Sequence, residues 1–192
     1  MTVNFAGRVK GRAVFVLGSA LGANLDGCSS SALVVACNGS IAPFADLVPD
    51  VLVVNSFTTL YNDAVAAASM TALRGRHARH LVLITNRMPL AGMQSALAEA
   101  GLTWDSCEEM TLATRRTIVE TALGRAVQAP SGQHVTSTGV TVILWAHQCG
   151  AASVTTSGFS SGGGHSYIPG VTPRNHAAID IEALAAVGMT LT

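Results

Sequence analysis

Charge is scarce in this chain. Only 11% of its residues are Asp, Glu, Lys or Arg, less than half of the roughly 25% found in an average soluble protein, so much of the sequence is built for an interior. The charge that is present cancels. Eleven basic residues stand against eleven acidic ones, which excludes the strong positive field that draws nucleic acid or an anionic membrane. Long hydrophobic runs are missing as well: stretches such as Val51–Val54 and Leu81–Ile84 fall far short of the ~20 residues that span a bilayer. No transmembrane segment is expected.

Other absences narrow the chemistry. Met1–Lys10 holds neither the apolar core nor the small-residue cleavage site of a signal peptide, so a reducing cytoplasm is the expected compartment. Cys28, Cys37, Cys107 and Cys149 show no C-x-x-C spacing, which argues against a zinc site and against a disulfide framework. There is no G-x-x-x-x-G-K-[ST] phosphate loop and no full G-x-G-x-x-G, so neither an ATPase nor a standard dehydrogenase is favoured.

What is present is a rhythm. The 192 residues suit one domain with a continuous core. Short aliphatic runs at Ala13–Leu17, Ala32–Ala36, Val51–Val54, Leu81–Ile84 and Ser153–Thr156 alternate with Ala- and Leu-rich stretches of helical character at Thr58–Leu73, Pro89–Ala100, Thr111–Val127, Thr138–Cys149 and Asp180–Val187. Met189–Leu191 reads as a short final strand. This alternation predicts an α/β fold: one Rossmann-like domain over residues 1–192, with a mostly parallel twisted sheet and helices on both faces. Arg115, Arg116 and Arg125 are expected on the polar face of their helix. Gly158–Pro173, with five glycines and two prolines, breaks the rhythm. With the residues up to His176 it is read as a lid loop (158–176), or as a plain surface connection.

Polar residues stand where strands stop. Gly18–Ser19–Ala20–Leu21–Gly22 follows the first strand and lets backbone N–H groups approach a phosphate or ribose, although a tight turn needs small residues in any case. Asn38 and Asn55 follow the second and third strands, and Asn86 repeats the placement. Amides both donate and accept, which suits the hydroxyls and base edges of a nucleotide, while Asn is also a common turn-former. Ser137–Thr138–Gly139 opens a buried helix, offering either an anion site at a positive helix end or a cap without a ligand. His165, Tyr167 and His176 gather around the lid, and an imidazole there has the right pKa range for a general base. His147, on a mostly apolar helix, reads as a core residue.

Taken in order, Cys37–Asn38, Asn55–Ser56–Phe57, Ser137–Thr138–Gly139 through Ala146 and Gly150 to Val154, Ser157–Gly158–Phe159, Ser166–Tyr167, and His176 with Asp180–Ile181–Glu182–Ala183–Leu184 resemble the bacterial sialyltransferases of glycosyltransferase family 42, which use CMP-sialic acid. The resemblance implies an inverting transfer of a sialic-acid-like sugar from a CMP-activated donor to an acceptor hydroxyl, with no obligatory metal or further cofactor. It also implies roles: Gly18 and Ser19 in the first nucleotide loop, Asn38 and Asn55 on the nucleotide, Ser137, Thr138 and Gly139 on the donor sugar or phosphate, Tyr167 on the phosphate, and His176 as the base. A glycan or other hydroxyl compound is the expected acceptor, and a homo-oligomer the expected state. Three features depart from the family pattern. The first loop is Gly18–Ser19–Ala20 where the family has Gly-Asn or Gly-Pro-Ser, the lid keeps one phosphate-binding tyrosine, and His134 stands near where an arginine precedes the Ser/Thr-Gly turn. Two alternatives remain open: a nucleotide-sugar-binding module without activity, and a pterin-diphosphokinase-like enzyme using ATP and a divalent metal, for which Asp50 is the main candidate ligand.

Overall fold

Strands β1 (Ala13–Leu17), β2 (Leu33–Cys37), β3 (Val51–Asn55), β4 (His77–Thr85), β5 (Thr103–Thr111) and β6 (Ser153–Ser157) build one sheet in the order β5-β4-β3-β2-β1-β6, and every pairing is parallel. The computed structural model describes residues 3–56, 60, 63–86, 88–128, 136–160, 164–168 and 176–190. Helices α1 (Phe5–Val9), α2 (Asp63–Leu73), α3 (Leu90–Glu99), α4 (Leu112–Leu123), α5 (Thr138–Gln148) and α6 (Ala177–Ala186) flank the sheet.

The aliphatic runs are continuous because the central strands are covered on both sides. Val14, Val16, Val35, Val53 and Val82 turn toward α1, α4, α5 and α6, meeting Phe5, Ile118, Val140, Leu144 and Leu184. Their chain neighbours Phe15, Leu17, Leu52, Val54, Leu81 and Leu83 turn the other way, onto Leu73, Met93 and Leu97 of α2 and α3. Each such burial contributes about 1.5–3 kcal/mol. Local signals set the helix ends: Thr111 Oγ1 accepts from Thr114 N to start α4, and Gly124 in the left-handed region stops it.

Several expectations shift. β4 starts at His77, ahead of the Leu81 read from its aliphatic run. β5 and α1 occupy stretches where no element was expected. Met189 and Thr190 lie outside any strand, while Leu191 falls outside the described residues, as do residues 58–59 and 61–62 of the stretch read as the first long helix. Arg115 does not join a polar face: it is 1% exposed, turned inward to partners on α5.

Strands β1 to β5 are laid down each beside its predecessor, and β6 then returns to the far side of β1. This reversal, between β1 and β6, is where open α/β sheets form a ligand crevice at the carboxyl ends of their strands. Among the described residues no helix is long and apolar enough to cross a membrane.

Candidate functional site

Polar groups from four elements converge on that edge of the sheet. After β2 the chain turns through a short 3-10 helix, Asn38–Ile41, and Asn38 takes φ 50°, a left-handed conformation that Asn adopts more readily than most residues. Its Oδ1 thereby accepts from Asn55 N at 2.9 Å. Asn55, at the end of β3, donates from Nδ2 to Thr138 Oγ1 at 3.3 Å, and Thr138 is the first residue of α5. The three residues are 9%, 1% and 7% exposed. Removing one partner would strand a buried polar group at a cost of about 1–3 kcal/mol, so this chain of contacts fixes two strand ends against a helix start. Asn86, at the end of β4, has its N–H bonded to Ser56 Oγ at 3.1 Å.

Ser137 caps α5, its Oγ accepting from Val140 N at 3.2 Å. The Ser137 N–H donates to Asp180 Oδ1 of α6 at 2.8 Å. A protein carboxylate thus lies at the positive end of α5, where the sequence offered either an anion site or a cap without a ligand. The other carboxylate oxygen, Asp180 Oδ2, is 3.0 Å from His176 Nδ1, with the histidine side chain 29% exposed and the aspartate 5%. The two atoms are close but not aligned as a hydrogen bond.

The other wall is the turn after β1. Ser19 Oγ lies 2.6 Å from His165 Nδ1, and Ser166 N donates to the Ser19 carbonyl at 2.6 Å. The Tyr167 ring stands 5.7 Å from that of His165 and covers Gly39, where a Cβ would sit 2.7 Å from the ring. Burial pushes the Tyr167 phenol up. Phe159 packs between Gly18 and Gly139: a Cβ on Gly139 would be 2.5 Å from Phe159 Cε1, and one on Gly18 would be 2.8 Å from Cε2 and 2.4 Å from the Gly158 carbonyl oxygen. The sequence reading gave Gly18 and Gly139 to a ligand. Here the room made by their missing side chains is filled by a phenylalanine.

Gly18, Ser19, Asn38, Asn55, Ser137, Thr138, Gly139, Tyr167 and His176 are therefore brought to one edge of the sheet, joined by hydrogen bonds, the close approach of His176 to Asp180 and the contacts of two aromatic rings. Comparison with known proteins returns nothing: no family model, no curated protein and no solved structure matches the chain. Among the described residues no three His, Cys, Asp or Glu side chains gather as a metal site. Of the region read as a lid, residues 158–160, 164–168 and 176 are described; Phe159 rests on Gly18 and Gly139, His165 and Ser166 on Ser19, Tyr167 on Gly39, and His176 beside Asp180 of α6. His134 lies outside the described residues.

Four residues of the site carried no role in the sequence reading. Asp180 was visible as an acid four places after a histidine, but its target on α5 was not. Phe159 followed the β6 run without a polar cue, and nothing in the sequence tied His165 to Ser19. Arg115 looked like a surface charge. His147, read as a core residue, is only half-buried, with Nε2 3.4 Å from Met189 Sδ, and burial holds its pKa below the usual histidine value.

Proposed function

We propose that this chain is a glycosyltransferase that moves a sialic-acid-like sugar from a CMP-activated donor to an acceptor hydroxyl with inversion. The observation that carries the reading is the unbroken line of contacts from Asn38 through Asn55 and Thr138 to the start of α5, and from Ser137 through Asp180 to His176. On this reading Asn38 and the Gly18–Ser19 turn hold the nucleotide, while Asn55, itself sealed from solvent, sets Thr138 for the donor. Tyr167 and Ser19 face the phosphate. His176, oriented by Asp180, accepts the proton of the acceptor hydroxyl as its oxygen bonds to the anomeric carbon. The bond from that carbon to phosphate oxygen breaks and its electron pair leaves with CMP. The sugar passes through an oxocarbenium-like transition state, so hydroxyl and backbone donors near the departing phosphate and a base on the opposite side are the groups required.

A nucleotide-sugar-binding module without turnover is the second reading, favoured by Phe159 filling the space beside Gly18 and Gly139. Thermal shift with CMP, CDP, UDP and ATP, each with and without EDTA, tests both. A ligand at one hundred times its Kd stabilises the native state by about 2.7 kcal/mol. Stabilisation by CMP that EDTA leaves intact is expected, and metal-dependent stabilisation by ATP alone would overturn both readings. Release of CMP from CMP-sialic acid in the presence of an acceptor, lost in His176→Ala while CMP still binds, separates transferase from module.

A further inference from the structure

Arg115 of α4 is the most thoroughly buried charge among the described residues, at 1% exposure. Its Nε donates to Thr141 Oγ1 at 3.0 Å and its Nη2 to the Thr136 carbonyl. Burial pulls its pKa down to about 10, with Asp180 and Cys37 pulling the other way, so it remains a cation at neutral pH. A buried cation is retained at a cost, and where its contacts lead is therefore informative.

They lead to the crevice. The Thr136 carbonyl and the Ser137 N–H belong to one peptide group, and in a trans peptide the two point in opposite directions. The carbonyl takes the guanidinium of Arg115, and the N–H goes to Asp180 Oδ1. One planar unit is thus clamped between a cation and a carboxylate, and the free oxygen of that carboxylate lies beside His176 Nδ1. We infer that Arg115 is a positioning residue for His176, acting through the Thr136–Ser137 peptide and Asp180. The inference rests on the reading of His176 as proton acceptor. Asp180 Oδ2 faces Nδ1 from 3.0 Å, so an imidazole that turns into line with it carries its hydrogen on Nδ1 and leaves Nε2 to accept an incoming proton. Arg115 places a positive charge behind the Thr136–Ser137 peptide and holds that peptide where its N–H aims Asp180.

The test reads the ring nitrogens of His176 directly, by 15N NMR of the full chain labelled at histidine, at mildly alkaline pH. The native protein is expected to show the Nδ1–H tautomer. Arg115→Met is expected to shift the population toward Nε2–H, as is Asp180→Asn, whereas Arg115→Lys, which keeps the charge, restores the native signature. Arg115→Gln, uncharged but able to donate to Thr136, serves if the methionine variant does not fold, and the same shift is expected of it. With CMP-sialic acid as donor, kcat should fall on the order of tenfold to a hundredfold in the uncharged variants, with donor KM little changed. A folded Arg115→Met or Arg115→Gln whose His176 keeps the native ring shifts overturns the inference. Its failure is distinguishable from that of the transferase reading: turnover with an unmoved tautomer sinks the positioning role alone, and a moved tautomer in a protein that turns over no CMP-sugar sinks the transferase alone.

Discussion

His80 and His176 each lie beside a carboxylate, yet their surroundings differ in every respect that matters for chemistry. His80 sits in β4, 1% exposed, with Nδ1 2.7 Å from Ser106 Oγ and Nε2 3.1 Å from Glu108 Oε1 of β5. The same glutamate oxygen accepts from Phe5 N at 2.8 Å, and Arg8 Nη2 donates to Ser106 Oγ at 3.1 Å, so α1 is strapped to the sheet through this cluster. Phe5 completes the strap by stacking on Trp145 of α5, ring centroids 3.8 Å apart. Both nitrogens of His80 are committed. His176 is partly open to solvent and stands beside one oxygen of Asp180, off the hydrogen-bonding direction. A histidine next to an acid thus marks a site only where part of the imidazole is left uncommitted and within reach of a substrate.

Exchanging the two removals is the sharpest way to break this contrast. His176→Ala should lower turnover by about 10²–10⁴-fold with the urea midpoint unchanged, while His80→Ala should leave the turnover of the folded protein intact and lower that midpoint. Next in size, Glu108→Ala takes the acceptor from both Phe5 N and His80 and is expected to cost about 2–3 kcal/mol, read from urea unfolding. Gly139→Ala should cost about 1–3 kcal/mol by overpacking against Phe159. That cost should shrink in a Phe159→Ala background, and a double-mutant cycle with no coupling would show that the ring does not set the glycine.

The smallest effect concerns a third histidine. Burial depresses the folded pKa of His147, so in acid the unfolded chain binds more protons than the native one. The stability tied to this residue is whole above its unfolded value of about 6.5 and is lost as pH falls through the folded value. His147→Gln should flatten the decline in Tm on the acid side of that window.

Legibility followed burial. Val51–Val54 could be read as a strand because two packed faces leave no polar position along it. Thr103–Thr111 could not: it is an edge strand in which Asp105, Glu108 and Glu109 interrupt the apolar residues, and such charges guard an edge while erasing the pattern. Phe5–Val9 is too short for a helical period, although Asn4, whose side chain accepts from Gly7 N, was its cap. At the crevice, residues at strand ends were legible because an apolar run that stops has a definite place in a parallel sheet. Arg115 was not, since an arginine on a helix reads as solvated until its partners, here on the next helix and the turn before it, are known. Gly18 and Gly139 were legible as places of close approach, but no local pattern told whether a ligand or Phe159 approached.

The return of β6 to β1 bears on how the protein is made. Strands β1 to β5 can zip in the order they leave the ribosome, each onto the one before, whereas the β1–β6 pairing joins residues 140 apart in sequence, such as Ala13 and Ser153, and pays the loop-closure entropy of that span. Gly18 N reaches the Ser157 carbonyl and Ala20 N the Gly158 carbonyl only after that pairing. The β1–β6 edge therefore forms only once β6 has been made, and a nascent chain stalled before it would hold five of the six strands without that pairing.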